Sequence, residues 1–118
     1  MPKLEIILYE KPDGTCPVEV FLLGLDVKMR VKTMRTIDLL QNNGTELREP
    51  YSKALDDGLF ELRVKVGSNI TRVLYFFCVG GKAVLTNGFV KKSDQTPQAQ
   101  KNLARQFRAD YLSREGIL

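Results

Sequence analysis

The clearest pattern in the chain is a strict alternation of apolar and charged residues between positions 60 and 66. The apolar positions are Phe60, Leu62, Val64 and Val66, and the charged positions between them are Glu61, Arg63 and Lys65. Successive side chains of a β-strand point to opposite faces, so this pattern predicts a strand with one apolar and one charged face. After a turn at residues 67–69, the stretch from Thr71 to Val79 is apolar beyond Arg72 and predicts a central strand.

Two further strands are predicted around this pair. Leu4 to Tyr9 is short and apolar, which is typical of a first strand. Gly80-Gly81 predicts a hairpin turn, so Ala83 to Val90 is expected to return beside the central strand. The segment from Glu49 to Gly58 is interpreted as a loop.

Capping signals predict two helices in the first half of the chain. Pro17 suits the first position of a brief helix that ends near Gly24. Asp26 can cap a second helix, which Asn43-Gly44 would end. Helical spacing assigns the buried face of that second helix to Val27, Val31, Met34, Ile37 and Leu40. The basic stripe Lys28, Lys32 and Arg35 is interpreted as a solvent-facing surface, with an RNA-backbone track as the alternative.

Thr96 and Pro97 predict the start of a last helix, along which Ala99, Leu103 and Phe107 recur at helical spacing. The complete order is then β, α, α, β, β, β, α. It predicts one α+β domain over residues 1–118, in which a small antiparallel twisted sheet packs with two N-terminal helices and a C-terminal helix.

The charge of the chain is unevenly distributed along its length. The 118 residues carry a formal net charge of +4. Up to Leu59 the sequence holds eight Lys/Arg against ten Asp/Glu, and from Phe60 onwards it holds ten against four. A basic second half points to an anionic partner such as nucleic acid or phosphate.

Composition also narrows the classes of site. The chain has no histidine and two widely spaced cysteines, Cys16 and Cys78, so zinc sites of the usual Cys/His types are excluded and no cofactor or metal is expected. The opening Met-Pro-Lys-Leu-Glu lacks the pattern of a signal peptide and no apolar run reaches membrane-spanning length, so we expect neither a signal peptide nor a membrane span. We therefore expect a cytoplasmic chain with reduced cysteines and no membrane partner.

Basic residues on the strands form a candidate site. Arg63 and Lys65 lie on the charged strand face, Arg72 opens the central strand, and Lys91 and Lys92 follow the last strand. Together they predict a cationic concavity, and fixed cations of this kind stabilise the charge that develops on phosphate when RNA is cleaved. The alternative is that they are solvent-facing residues, with Glu61 paired to one of them.

Polar residues near the last helix extend this candidate site. Ser93 follows the lysine pair, and Gln95, Thr96 and Gln98 surround the predicted helix start, where free backbone N–H groups favour phosphate. Because histidine is absent, proton transfer would need a lysine, an arginine, a carboxylate or a tyrosine.

At these residues the chain resembles the RelE/HigB-like toxins of bacterial type II toxin–antitoxin systems, in particular the phage-derived HigB-like branch. The stretches that carry the likeness read PYSKAL (50–55), GLFELR (58–63), TRVLY (71–75) and GFVKKSDQTP (88–97). The likeness extends over nearly the whole chain, since the two leading helices also fit.

The resemblance implies a RelE-like fold and a ribosome-dependent endoribonuclease that cuts messenger RNA in the ribosomal A site without a metal. It implies that Arg72 stabilises the transition state, that Arg63 lies on the floor of the cleft with Lys65 beside it, and that Lys92, with Lys91, supplies a basic group. A helix-turn-helix antitoxin would be the partner, beside the ribosome and messenger RNA. A homodimer and a toxin–antitoxin heterotetramer both stay open.

Two departures from the family pattern leave the general acid and base unassigned. Glu61 stands where some relatives have a further lysine, and Gln98 falls near the place of a tyrosine that some relatives carry. Two other functions remain as alternatives. One is a ParE-like toxin that inhibits DNA gyrase by binding, and the other is a basic domain that only contacts nucleic acid.

Overall fold

The computed structural model describes residues 3–91 and 95–117, and it confirms the predicted α+β class. The strands are β1 (Glu5–Leu8), β2 (Ser52–Ala54), β3 (Phe60–Val66), β4 (Asn69–Cys78) and β5 (Lys82–Val90), and the helices are α1 (Pro17–Leu23), α2 (Val27–Asn43) and α3 (Gln98–Arg114). A short 3-10 turn, Gly44–Glu46, follows α2. Within these described ranges, every helix is too short or too polar to cross a bilayer.

The strands form one sheet in the order β1-β5-β4-β3-β2. The pairs among β2, β3, β4 and β5 are antiparallel, and those of β3 with β4 and of β4 with β5 were predicted. In contrast, β1 lies parallel to β5, with Glu5 opposite Lys82. The expectation of a wholly antiparallel sheet was therefore wrong in this one pairing. The chain leaves β1 through α1 and α2 and rejoins the sheet at its far edge, so β1 borders the last strand and not its neighbour in sequence.

A short strand lies within the segment that we interpreted as a loop. β2 pairs with β3 and places Lys53 directly opposite Glu61. Three residues are too few to show a period of two, and strands in globular proteins are usually about 5–6 residues long. The sequence therefore gave no periodic signal for this edge strand.

The sheet separates two apolar cores. On one face α1 and α2 pack against residues of β3, β4 and β5, and the buried members of this cluster are Val18, Leu40, Leu62, Val73, Tyr75, Ala83 and Leu85. On the other face α3 packs against the sheet, and the buried members are Tyr9, Leu59, Leu74, Phe76, Val84, Phe89, Ala104, Phe107 and Tyr111. The candidate site residues of β3 and β4 lie on this second face, beside the start of α3.

The buried face of α2 differs from the predicted one. Met29, Thr33, Thr36 and Leu40 are buried, whereas Val27, Val31 and Met34 are exposed. The two threonines can be buried because each hydroxyl donates to a backbone carbonyl one turn earlier, at 2.7 Å for Thr33 and 2.9 Å for Thr36. The face with the satisfied threonines turns to the sheet, and an apolar stripe stays outside.

Candidate functional site

An open cavity of about 580 Å³ lies between the β2–β3 edge of the sheet and the start of α3. Its lining residues are Lys53, Leu55, Glu61, Arg63, Gln95, Thr96, Pro97, Gln98 and Lys101. This set includes Arg63, Gln95, Thr96 and Gln98 from the predicted site. The lining carries three cations and one carboxylate, so the cavity favours an anionic ligand.

Two arginines of the predicted site face each other across neighbouring strands. Arg63 of β3 is the direct partner of Arg72 of β4, so their side chains lie on the same face of the sheet. Like charges in this position repel unless an opposite charge lies between them. Glu61 supplies that charge, because its Oε2 atom is 3.0 Å from Nε of Arg63 and 3.3 Å from Nε of Arg72.

Glu61 is the buried centre of this arrangement, with only 1% of its surface exposed. Its second oxygen, Oε1, accepts a hydrogen bond from the Thr96 hydroxyl at 2.5 Å. Glu61 thereby joins β3, β4 and the segment that precedes α3. Thr96 uses its hydroxyl on this carboxylate and does not cap the helix, which begins at Gln98 with Pro97 before it.

Arg72 lies behind Glu61 and is 6% exposed. Its Nη1 group donates to the Thr71 carbonyl at 3.2 Å. Its Nε atom is within ion-pair distance of Glu61 but makes no hydrogen bond, and it is the one buried side-chain polar atom of the described residues in that state. Burial lowers the pKa of the Arg72 guanidinium, while Glu61 raises it and Arg63 lowers it. Arg72 does not line the cavity.

Arg63 is the arginine that reaches the cavity, with 21% of its side chain exposed. Its Nε group donates to Glu61, and its Nη1 group donates to Oε1 of Glu49 at 2.8 Å. Glu49 is an exposed residue outside the core. Exposed ion pairs of this kind contribute little to stability, so an anionic ligand can replace Glu49 at small cost.

The other predicted lysines lie apart from the cavity. Lys65 is exposed two residues beyond Arg63, and its carbonyl accepts a hydrogen bond from the Lys32 ammonium. Lys91 is half-buried after β5, and its backbone N–H donates to the Ile70 carbonyl at 2.9 Å. Lys92 and Ser93 fall outside the described residues. Of the five predicted cations, Arg63 alone among the described residues lines the cavity, and Arg72 lies next to it behind Glu61.

Sequence reasoning missed two lysines that line the cavity. Lys53 lies on β2, which was not predicted, and Lys101 lies one turn into α3. The signal for Lys53 was its place in the PYSKAL stretch. Lys101 is one of several basic residues along α3, and its ammonium lies 3.2 Å from Oδ1 of Asp56.

A row of ion pairs fixes α3 beside the cavity. Asp56 and Asp57, between β2 and β3, pair with Lys101, Arg105 and Arg108 of the helix at 2.8–3.2 Å. These contacts hold the start of α3 against the sheet, and with it the glutamine and threonine side chains of the cavity. Within the described ranges, Cys, Asp and Glu side chains form no group of three that could hold a metal ion.

Comparisons with known proteins identify a family. Residues 20–109 match the family described as phage derived protein Gp49-like (DUF891), and this stretch contains every described residue of the cavity. A search of curated proteins finds no match. The matched family is associated with toxin–antitoxin systems and with toxins of the RNase type, and such toxins have an antitoxin partner. Because the match covers most of its length, the chain belongs to the phage-derived Gp49-like protein family.

Proposed function

We propose that the chain is the toxin of a type II toxin–antitoxin system and acts as a RelE/HigB-type, ribosome-dependent endoribonuclease that cuts messenger RNA in the A site. The observation that carries this proposal is the position of Arg63, which is fixed by Glu61 and opens into a cavity rich in cations. Membership of a family associated with RNase-type toxins supports the same activity.

The proposed reaction uses the substrate's own 2′-hydroxyl as the nucleophile. The 2′-oxygen forms a bond to phosphorus and gives up its proton to water, the bond from phosphorus to the 5′-oxygen breaks, the 5′-oxygen takes up a proton, and a 2′,3′-cyclic phosphate results. Negative charge grows on the phosphate oxygens along this path. A fixed guanidinium stabilises that charge, and its planar fork suits two phosphate oxygens at once.

Arg63 is the residue that we expect to contact the scissile phosphate. Glu61 holds its Nε group, so its outer nitrogens remain oriented to the cavity, where phosphate takes the place of Glu49. Arg72 adds fixed positive charge from behind the carboxylate. In this proposal the RNA site extends beyond the cavity to Lys91 and Lys92, and Lys65, Ser93, Gln95, Thr96 and Gln98 contact the RNA backbone.

Proton transfer has two candidate groups in the described cavity. Lys53 and Lys101 both line it, and an ammonium can protonate the departing 5′-oxygen. Both oxygens of Glu61 are already engaged, so Glu61 acts as a positioning group. The ribosome supplies the geometry of the message, and we therefore expect very slow cleavage of naked RNA.

A cell-free test follows from this proposal. The purified chain is added to ribosomes translating a labelled message, and the cleaved ends are mapped. We expect cuts at codons in the A site, and a reduction by about 100-fold or more when Arg63→Gln removes the fixed charge. Arg114→Gln is the matched control, because Arg114 is also an exposed arginine paired with a carboxylate, that of Asp110, and it lies at the far end of α3 outside the cavity. Intact messages with the wild-type chain would exclude the proposed activity.

A ParE-like toxin that inhibits DNA gyrase without catalysis is the second candidate. The burial of Arg72 and the neutralisation of both arginines by Glu61 favour it, since a binding protein has no need of free cations. Supercoiling by purified gyrase separates the two functions. Inhibited gyrase with intact messages supports the second candidate, and activity in neither assay leaves a basic nucleic-acid-binding domain.

We further propose that a helix-turn-helix antitoxin neutralises the chain. The complex of toxin and antitoxin would be either a heterotetramer or a smaller assembly. A homodimer of the toxin without the antitoxin is the third arrangement. Sedimentation of the co-purified complex distinguishes these states by mass.

A further inference from the structure

A second groove, of about 500 Å³, runs along the outer side of α2. Its lining residues are Val27, Lys28, Val31, Lys32, Arg35, Thr36, Leu39, Tyr51 and Val66. It shares no lining residue with the cavity at Arg63. The span from Val27 to Leu39 is about 18 Å, at roughly 1.5 Å of rise per helical residue, so the groove is long enough to hold several turns of a second helix.

The floor of this groove is apolar and exposed. Val27 and Val31 are 64% and 41% exposed, and Tyr51 faces solvent beside them. Val27, Val31 and Met34 follow one another at helical spacing, which is the pattern that first suggested a core face. Contiguous apolar surface that is exposed to solvent is typical of interaction sites.

The rim of the groove is positively charged. Lys28, Lys32 and Arg35 are the charged side chains of the lining, and all three are cations. The described part of the chain pairs none of them with a carboxylate, although Lys32 also donates to the Lys65 carbonyl. A ligand for this groove must therefore present apolar groups to the floor and negative charges to the rim.

We propose that the groove docks an acidic amphipathic helix of a partner protein, with apolar side chains toward Val27 and Val31 and carboxylates toward Lys28 and Arg35. Helices of this design bind apolar grooves through anchors at positions i, i+3 or i+4 and i+7. RNA would satisfy the cations but would leave the apolar floor without contacts. The identification of this helix with the antitoxin rests on the proposed function, whereas the chemistry of the groove does not.

The consequence for regulation is that anchoring and inhibition occupy different surfaces. A helix bound along α2 contacts none of the residues that line the Arg63 cavity. The antitoxin would hold the toxin through α2 and would need another segment to cover the cavity. Substitutions in the groove are then expected to weaken docking and to leave cleavage unchanged.

The test uses a synthetic peptide of about 18 residues, close to five helical turns, with leucines on one face and glutamates on both sides. It is titrated into the full-length, isotope-labelled chain and followed by NMR. We expect shifts at Val31, Arg35 and Tyr51. We also expect binding to weaken about tenfold or more in Val31→Asp and in Arg35→Glu. A peptide with lysines in place of the glutamates should not bind.

Matched controls lie outside the groove. Val20→Asp places the same charge at another exposed valine, on α1, and Lys3→Glu reverses a charge at an exposed lysine before β1. Both should bind the acidic peptide like the wild-type chain. Circular dichroism confirms that each variant is folded. If Val31→Asp does not fold, Arg35→Glu still tests the docking site.

The outcomes separate the two proposals. Absent binding, shifts away from α2, or equal binding by the groove variants and controls would overturn the docking site. So would a single-stranded RNA that shifts the same residues and displaces the peptide, since α2 would then be an RNA track. Peptide binding in the groove by a chain that leaves messages uncut would uphold the docking site and reject the proposed nuclease.

Discussion

Arg63 and Arg72 lie directly opposite each other on β3 and β4, and both guanidinium groups are held by the same buried carboxylate. The shared ligand, Glu61, divides their roles. Arg63 keeps a side open to the cavity, whereas Arg72 is closed off behind the carboxylate. The cationic site is therefore also a structural unit, and substitutions within it must be interpreted with their effect on stability.

Glu61→Ala is expected to destabilise the chain strongly. It leaves the buried Arg72 guanidinium without a counter-charge and directly opposite Arg63. Removal of one member of a buried ion pair typically costs about 3–5 kcal/mol, because the other charge remains desolvated. The free energy of unfolding, measured by urea denaturation with linear extrapolation, gives the loss directly.

The control for this prediction is Asp56→Ala. Asp56 also pairs with two cations, Lys101 and Arg105, but on the solvent-exposed side of α3. Water already screens those pairs, so we expect a much smaller loss of stability. Equal losses of unfolding free energy in the two variants would mean that burial does not increase the contribution of the Glu61 ion pairs to stability.

Lys53→Ala is expected to change how RNA binding depends on salt. Lys53 lines the cavity beside Arg63, where the proposed substrate places its phosphates. Each phosphate contact to single-stranded nucleic acid contributes about 0.7 to the slope of log affinity against log salt concentration. We expect the slope to fall by about that amount in a titration of a short RNA at several salt concentrations. Lys3→Ala, outside the cavity, should keep the wild-type slope.

The strands that the sequence predicted correctly are those with local periodic signals. The alternation of β3, the apolar run of β4 and the turns between the strands are all visible in a few consecutive residues. The parallel pairing of β1 with β5 depends on segments far apart in sequence, and local patterns do not encode it. The threonines of α2 misled the assignment of its buried face, because backbone hydrogen bonds make their hydroxyls compatible with the core.

For the candidate site, residue types were easier to predict than their surroundings. Arg63, Thr96 and Gln98 were expected in one place and line one cavity. The burial of Glu61 was not predicted, because alternation assigned it to a charged face and could not show that α3 covers part of that face. The contribution of Lys53 required the position of a strand too short to recognise.

Gly88→Ala is expected to destabilise the contact between β5 and α1. A Cβ atom at position 88 would overlap the ring of Phe21, so the helix could keep its place only if that ring moved. Overpacking of this kind costs about 1–3 kcal/mol. Thermal unfolding measures the loss, and Phe21→Leu in the same chain should recover part of it by opening space. A tolerated Gly88→Ala without rescue by Phe21→Leu would show that the ring has room to turn.

Asp57→Asn is expected to make the free energy of unfolding decline less steeply as the pH falls. The Asp57 carboxylate accepts hydrogen bonds from Arg105 at 2.9 Å and from Arg108 at 2.8 Å. These bonds, that of Arg105 first, lower its pKa below the usual 3.8. A lowered pKa in the folded state stabilises the fold above pH 3.8, and this contribution is lost as the pH falls through the folded-state pKa.

Asparagine removes the charge at position 57 without straining the backbone, so the experiment reports the effect of the charge alone. The φ angle there is 61°, in the left-handed region that asparagine and aspartate tolerate better than other side chains. Urea unfolding of both chains from neutral pH to about pH 2 should give a shallower acid decline for Asp57→Asn than for the wild type. An NMR titration of the wild-type Asp57 carboxyl checks the cause. A midpoint at or above 3.8 would mean that the two arginines do not hold the carboxylate as the distances indicate.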